Sequence, residues 1–149
     1  MPVQRSPELS TLYEQDETAW LEQTASLIAQ RRFDEIDHEH LKEYLSEMAR
    51  RDKREVFSRL ITLITHLLKW DHQPDQRSNS WRGTILSQRR ELRQLFESGT
   101  LRRYAAEMLE KAYKEAVDQA AAETGLERTA FPAEYSMSLE ELVPEVTEP

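Results

Sequence analysis

Three glycines and six prolines are all that this chain of 149 residues has for punctuation, and four of the prolines lie near its ends. A β-sandwich or barrel needs many tight turns, each drawing on such residues, so the scarcity argues against an all-β fold. A glycine-rich phosphate loop and a dinucleotide fingerprint are missing for the same reason. What the chain offers instead is long stretches in which apolar residues recur at helical spacing.

The first such stretch carries Trp20, Leu21, Leu27 and Ile28 and ends near Arg31 and Arg32. Thr11 with Glu14 has the spacing of a capping box, and Asp16 is a rival cap slightly later. Phe33 and Ile36 are expected to anchor the turn that follows. Asp37 is a good N-cap for a second helix with apolar positions at Leu41, Tyr44, Leu45, Met48, Val56, Leu60, Leu63, Ile64 and Leu67. Either one helix runs from His38 to Trp70, or it breaks near Asp52, which with Glu55 would cap a restart. From Leu60 onward this helix is apolar almost all round, which marks it as the buried central element.

Pro74 ends that helix. Ser78 or Ser80 caps a third, whose core face is Trp81, Ile85, Leu92, Leu95 and Phe96, and Ser98–Gly99 is expected to stop it. Thr100 caps a fourth, with Leu101, Tyr104, Met108, Ala112, Ala116 and Ala120 on one face and Gly125 at its end. Ser138 and Glu141 form a capping box for a short terminal helix. The fold class expected is therefore all-α: a helical bundle of four to five helices with a long buried central helix and no sheet. The length suits a single helical domain over residues 1–149, with 1–10 and 143–149 as loose tails.

No cysteine is present, so disulfides, zinc–thiolate sites and cysteine nucleophiles are excluded, and a reducing, cytoplasmic setting fits. The N-terminal MPVQRSPELS has no apolar stretch of signal-peptide kind, and the apolar patch Leu60–Leu68 is far too short and interrupted to span a membrane. The formal net charge is −8. It hides an asymmetry. Between His66 and Arg103, eight Lys/Arg residues face four acids, a local balance of +4 that leaves −12 for the rest.

That basic stretch holds the densest set of unusual residues: His66, Lys69, Trp70, Gln73, Arg77, Ser78, Ser80, Trp81, Gln88 and Arg89. His66, Lys69, Trp70 and Gln73 share one helix face by their spacing. If the second and third helices form an antiparallel pair, the set converges near the connecting loop. Guanidiniums grip phosphate, indoles stack on bases, and a helix N-terminus adds partial positive charge, which together describe an anion or nucleotide pocket. The same residues also suit a buried polar network that fixes the loop, with Trp70 and Trp81 as core.

Asp34, Glu35, Asp37, His38, Glu39 and His40 resemble a metal-ligand mixture in composition. His38 and His40, two apart, point in different directions on a helix, and no zinc or EF-hand spacing occurs. An N-cap with acids in the first turn explains the cluster, so no metal and no cofactor is expected. Ser78, Ser80 and His66 have no well-placed carboxylate for a nucleophilic triad.

The stretch HLLKWDHQPDQRSNSWRGTILSQRRELRQL resembles the central signature of domain-of-unknown-function family twenty-nine, common in cyanobacteria and some other bacteria. LYEQDETAW, RRFDEIDHEHLKEYL and ETGLERTAFPAEYSMSLEEL agree in order, so the resemblance runs from about Leu12 to Leu142. It implies an all-helical fold and no activity. The pattern falls on His66, Lys69, Trp70, Gln73, Pro74, Ser78, Ser80, Trp81, Gln88 and Arg89. A position that often holds glycine is Arg50 or Arg51 here, which favours an unbroken second helix, and a frequent Pro-Ser pair is Gly99–Thr100.

Function is thus expected to be binding rather than chemistry: a cytoplasmic interaction module whose 66–103 region takes a protein partner or a small anionic ligand. The net charge opposes nucleic acid as partner, and no membrane contact is expected. One alternative is a small enzyme on a phosphate or nucleotide substrate, with His66 as acid/base and Lys69, Arg77 and Arg89 holding phosphate. Another is a structural protein that homo-oligomerises through a helix face.

Overall fold

The computed structural model describes residues 7–145, and every regular element among them is helical. Six α-helices follow one another: α1 (Pro7–Gln15), α2 (Glu17–Ala29), α3 (His38–His72), α4 (Asn79–Leu95), α5 (Gly99–Thr124) and α6 (Leu139–Leu142). Short 3-10 turns stand at Phe33–Glu35, Pro74–Gln76 and Arg128–Ala130. The all-α class holds. The helix count exceeds the sequence expectation because the first stretch is two helices. α1 begins at Pro7, so Thr11 and Glu14 lie inside it and not at its start. Asp16 is the cap instead, accepting from the Ala19 N–H at 3.1 Å and opening α2. The expected loose tail is therefore helical from Pro7; residues 1–6 and 146–149 lie outside the described residues.

Two compact units are present, Met1–Arg50 and Arg51–Pro149. In the first, Trp20 is wholly buried, with Leu9, Thr24, Ile36 and Asp37. Tyr13 meets Trp20 edge-on at 4.8 Å between ring centroids, and Tyr44 lies at 6.1 Å. Of the two residues expected to anchor the turn, Ile36 is buried and Phe33 is 52% exposed. The end of α2 is unusual. Arg31 takes a positive φ of 59°. Its N–H donates to the Ile28 carbonyl and the Arg32 N–H to the Leu27 carbonyl. This is the paired closure that glycine ordinarily provides after a helix, built here on an arginine.

α3 is continuous through Asp52. Its burial is not. Residues 49–54 are exposed all round, and the buried face begins at Val56 and runs through Leu60, Leu63, Ile64 and Leu68. The long central helix is therefore a core element only in its second half.

That half, with α4, α5 and α6, builds the second unit. α5 presents Ala105, Ala112, Ala116 and Ala120 as a buried stripe, with Tyr113 beside it. Leu92 comes from α4, and Phe131, Leu139, Leu142 and Val143 come from the C-terminal segment. Small side chains along α5 let its neighbours pack closely. Two caps differ from the sequence reading. Ser98, not Thr100, caps α5 by accepting from the Leu101 N–H. Gly99 is consequently the first residue of α5, not the stop of α4. Gly125 does end α5, at φ 76°, and Ser138 caps α6.

Candidate functional site

α3 and α4 pair antiparallel in the second unit, because Lys69 meets Trp81 while Arg59 meets Gln88. α3 and α5 run parallel, as the pairs Lys53–Tyr104 and Lys69–Glu123 show. Of the ten residues singled out by sequence, Lys69, Trp70, Gln73, Arg77, Ser78, Ser80 and Trp81 sit at or beside the α3–α4 turn, while Gln88 and Arg89 lie more than two turns farther along α4. They form separate small arrangements, and most of their cations already have partners.

Lys69 is 8% exposed. Its ammonium lies 4.7 Å from the centroid of the Trp81 ring and 3.4 Å from Glu123 Oε1. Carboxylate and indole together replace the water that the ammonium loses on burial. Trp81 is half-buried, not core. Trp70 is likewise half-buried, with the Arg77 guanidinium 4.8 Å and the Arg82 guanidinium 5.7 Å from its ring centroid. Arg77 also donates Nε–H to the Trp70 carbonyl at 2.8 Å, which closes the turn over the end of α3.

Gln73 caps the Pro74–Gln76 turn, and its backbone N–H donates to the Lys69 carbonyl. Ser78 caps α4 through the Trp81 N–H at 3.2 Å, while Ser80 is exposed in the first turn. Gln88 accepts from Arg59 at 3.2 Å. Arg89 donates Nε–H to the Leu142 carbonyl at 2.9 Å, and Arg93 donates to the Pro144 carbonyl at 3.4 Å. These arginines fasten the C-terminal segment to α4. Burial pulls the Arg89 guanidinium below its ordinary range, and Arg93 adds to that pull. Burial also pushes the nearby Tyr135 phenol far up, so it stays protonated.

The phosphate-gripping set of His66 with Lys69, Arg77 and Arg89 is thus not assembled. Lys69 is on Glu123, Arg77 on Trp70, and Arg89 on Leu142. His66 faces other chemistry. Its Nδ1 lies 2.8 Å from the Thr62 carbonyl. A carbonyl only accepts, so Nδ1 carries the hydrogen and a neutral ring keeps its Nε2 lone pair. His66 lines a groove of about 440 Å³ between α3 and α5, whose α5 wall is Glu115, Gln119 and Glu123. The sequence reading missed these three. Their i, i+4, i+8 spacing was the available signal, but an acidic face beside an alanine stripe looks like solvated surface.

In the first unit, the metal-like cluster is engaged in local contacts. Arg32 pairs with Glu35, His38 Nε2 lies 2.9 Å from the Phe33 carbonyl, and His40 Nδ1 lies 2.5 Å from Asp37 Oδ2. Burial raises the Asp37 carboxyl, but hydrogen bonds from the His40 ring and backbone N–H outweigh it and hold the group below its ordinary range. Ser10 Oγ stands 3.4 Å from the same His40 nitrogen. Serine and aspartate therefore share one edge of the imidazole, which is not the geometry of a relay. Among the described residues, no group of three His, Cys, Asp or Glu lies close enough to hold a metal ion. No helix among them is long and apolar enough to cross a membrane.

No curated protein and no solved structure matches the chain. The family model described as "Domain of unknown function DUF29" matches residues 12–146. That match spans nearly every described helix, from within α1 to beyond α6, and the chain belongs to the DUF29 family.

Proposed function

We propose that this protein is a binding module that engages an acidic, amphipathic protein segment through the exposed face of α4. The observation that carries the reading is Leu86, 51% exposed, flanked by Arg82 and Arg90 at i−4 and i+4. Both arginines are exposed, and neither has a carboxylate partner among the described residues. A large apolar side chain between two guanidiniums that face no carboxylate suits a helix bearing leucine and glutamate: the apolar pair anchors, and each guanidinium takes a carboxylate through two parallel N–H bonds. Arg77 extends this surface beside Trp70. A protein of net charge −8 does not attract such a partner at long range, but salt screens distant charge beyond about 8–10 Å and leaves the local cations effective. The cysteine-free composition suits a reducing compartment, and the reading takes the bacterial cytoplasm as its place.

Fluorescence anisotropy with a labelled Glu/Leu amphipathic peptide tests it. Binding that weakens with salt and is lost in an Arg82→Glu, Arg90→Glu double variant of unchanged melting temperature supports the reading. Absence of binding, or binding indifferent to these substitutions, sinks it.

A further inference from the structure

We propose that the groove between α3 and α5 binds a linear aliphatic polyamine. Its apolar floor is Phe57 and Ile61 from α3, and the Lys111 ammonium stands 5.7 Å from the Phe57 ring centroid at its side. Its rim is made of acceptors: the Glu115 and Glu123 carboxylates, the Gln119 amide oxygen and the His66 imidazole. Glu115 and Glu123 stand eight residues apart on α5, about 12 Å along the axis, a span that an extended triamine covers. Methylenes on the floor and ammoniums at acceptor-rich ends match that alternation of apolar and negative surface.

Two observations show that the groove is prepared for a donor. Thr65 lines it and is 2% exposed, yet its hydroxyl has no hydrogen-bond partner. A buried hydroxyl without a partner is destabilising, and a donor seated on the floor would satisfy it. The chain also treats one of its own ammoniums in the same way at one end. Lys69 rests between Glu123 and the Trp81 ring. Glu115, at the other end, has no cationic partner among the described residues. The groove thus has one carboxylate shared with an ammonium of the chain, through Oε1 of Glu123, and one with no ammonium of the described residues within ion-pair distance.

The test is titration calorimetry of the full chain with spermidine at physiological salt. Wild type, Glu115→Gln and Glu43→Gln are compared. Glu43 is exposed on the part of α3 in the first unit and lies outside the groove. Each variant removes one negative charge. The result expected is saturable one-to-one binding, weakened about tenfold in Glu115→Gln and unchanged in Glu43→Gln, with the His66 ring resonances moving during the titration. Uptake that does not saturate overturns the proposal. So does equal weakening in both variants, or no weakening in Glu115→Gln, since either makes the polyamine a counterion of an acidic surface.

Discussion

Lys69 and Trp81, on antiparallel helices, form a buried cation–π pair with 4.7 Å between the ammonium and the ring centroid. Trp81 is thereby a support for a buried charge more than a packed core side chain. Trp81→Ala is expected to lower stability by about 2 kcal/mol, less than the ~3–5 typical of a fully buried aromatic. Trp81→Phe should recover part of the loss, because a smaller ring still faces the ammonium. Urea unfolding of the two variants gives the comparison. A loss as large in Trp81→Phe as in Trp81→Ala would show that the ring face contributes nothing.

Arg89 holds the last turn of α6 by its carbonyl. Arg89→Ala leaves the Leu142 oxygen without that charged donor, a loss of about 1.5–3 kcal/mol for such a bond. Hydrogen exchange localises it. The Leu142 and Val143 amides, which close α6 on Ser138 and Leu139, should exchange faster in the variant. Exchange there at the wild-type rate would mean that the apolar anchors Leu139 and Leu142 hold the segment unaided.

Arg31 occupies a left-handed position that L side chains other than asparagine and aspartate seldom take. Arg31→Gly is expected to stabilise the protein by about 1 kcal/mol. Gly125 is the mirror case at φ 76° with open space around it, so Gly125→Ala should destabilise by about 1 kcal/mol through the backbone alone. Melting temperatures moving in the same direction for both substitutions would contradict this account.

The Asp37 carboxyl is held below its ordinary range, so its contribution has a definite sign with pH. A depressed folded-state value means stability that is present above the unfolded-state value and is lost as pH falls through the folded one. Asp37→Asn keeps a competent cap but removes the charge. Wild type should exceed this variant in stability at neutral pH, and the difference should vanish under acid conditions. Circular dichroism melts across pH check it, and a difference that stays constant with pH would assign the effect to the cap alone.

Helix positions were legible because apolar spacing carries them: α3, α4 and α5 lie close to where Leu60, Leu92 and Ala112 put them. The split at Asp16 was harder to see, since Thr11–Glu14 offered an equally good local signal and only packing around Trp20 separates the two. The ending at Arg31 was invisible, because left-handed backbone is read from glycine. The antiparallel α3–α4 pairing behind the His66–Arg89 set was legible, but the partners of its side chains were not. Whether Arg89 points to solvent or to the Leu142 carbonyl depends on where a segment fifty residues later comes to rest. The acidic wall opposite His66 depended likewise on α5 running parallel to α3.

Residues 49–54 of α3 are all exposed, and although the Lys53 ammonium stands 5.6 Å from the Tyr104 ring centroid, no side chain of the stretch is buried in a core. Helix without a buried face opens readily, and this one carries Arg50, Arg51, Lys53 and Arg54. Brief exposure to trypsin should therefore cut the folded chain here before anywhere else, releasing a C-terminal fragment whose own core, from Val56 to Val143, is left entire.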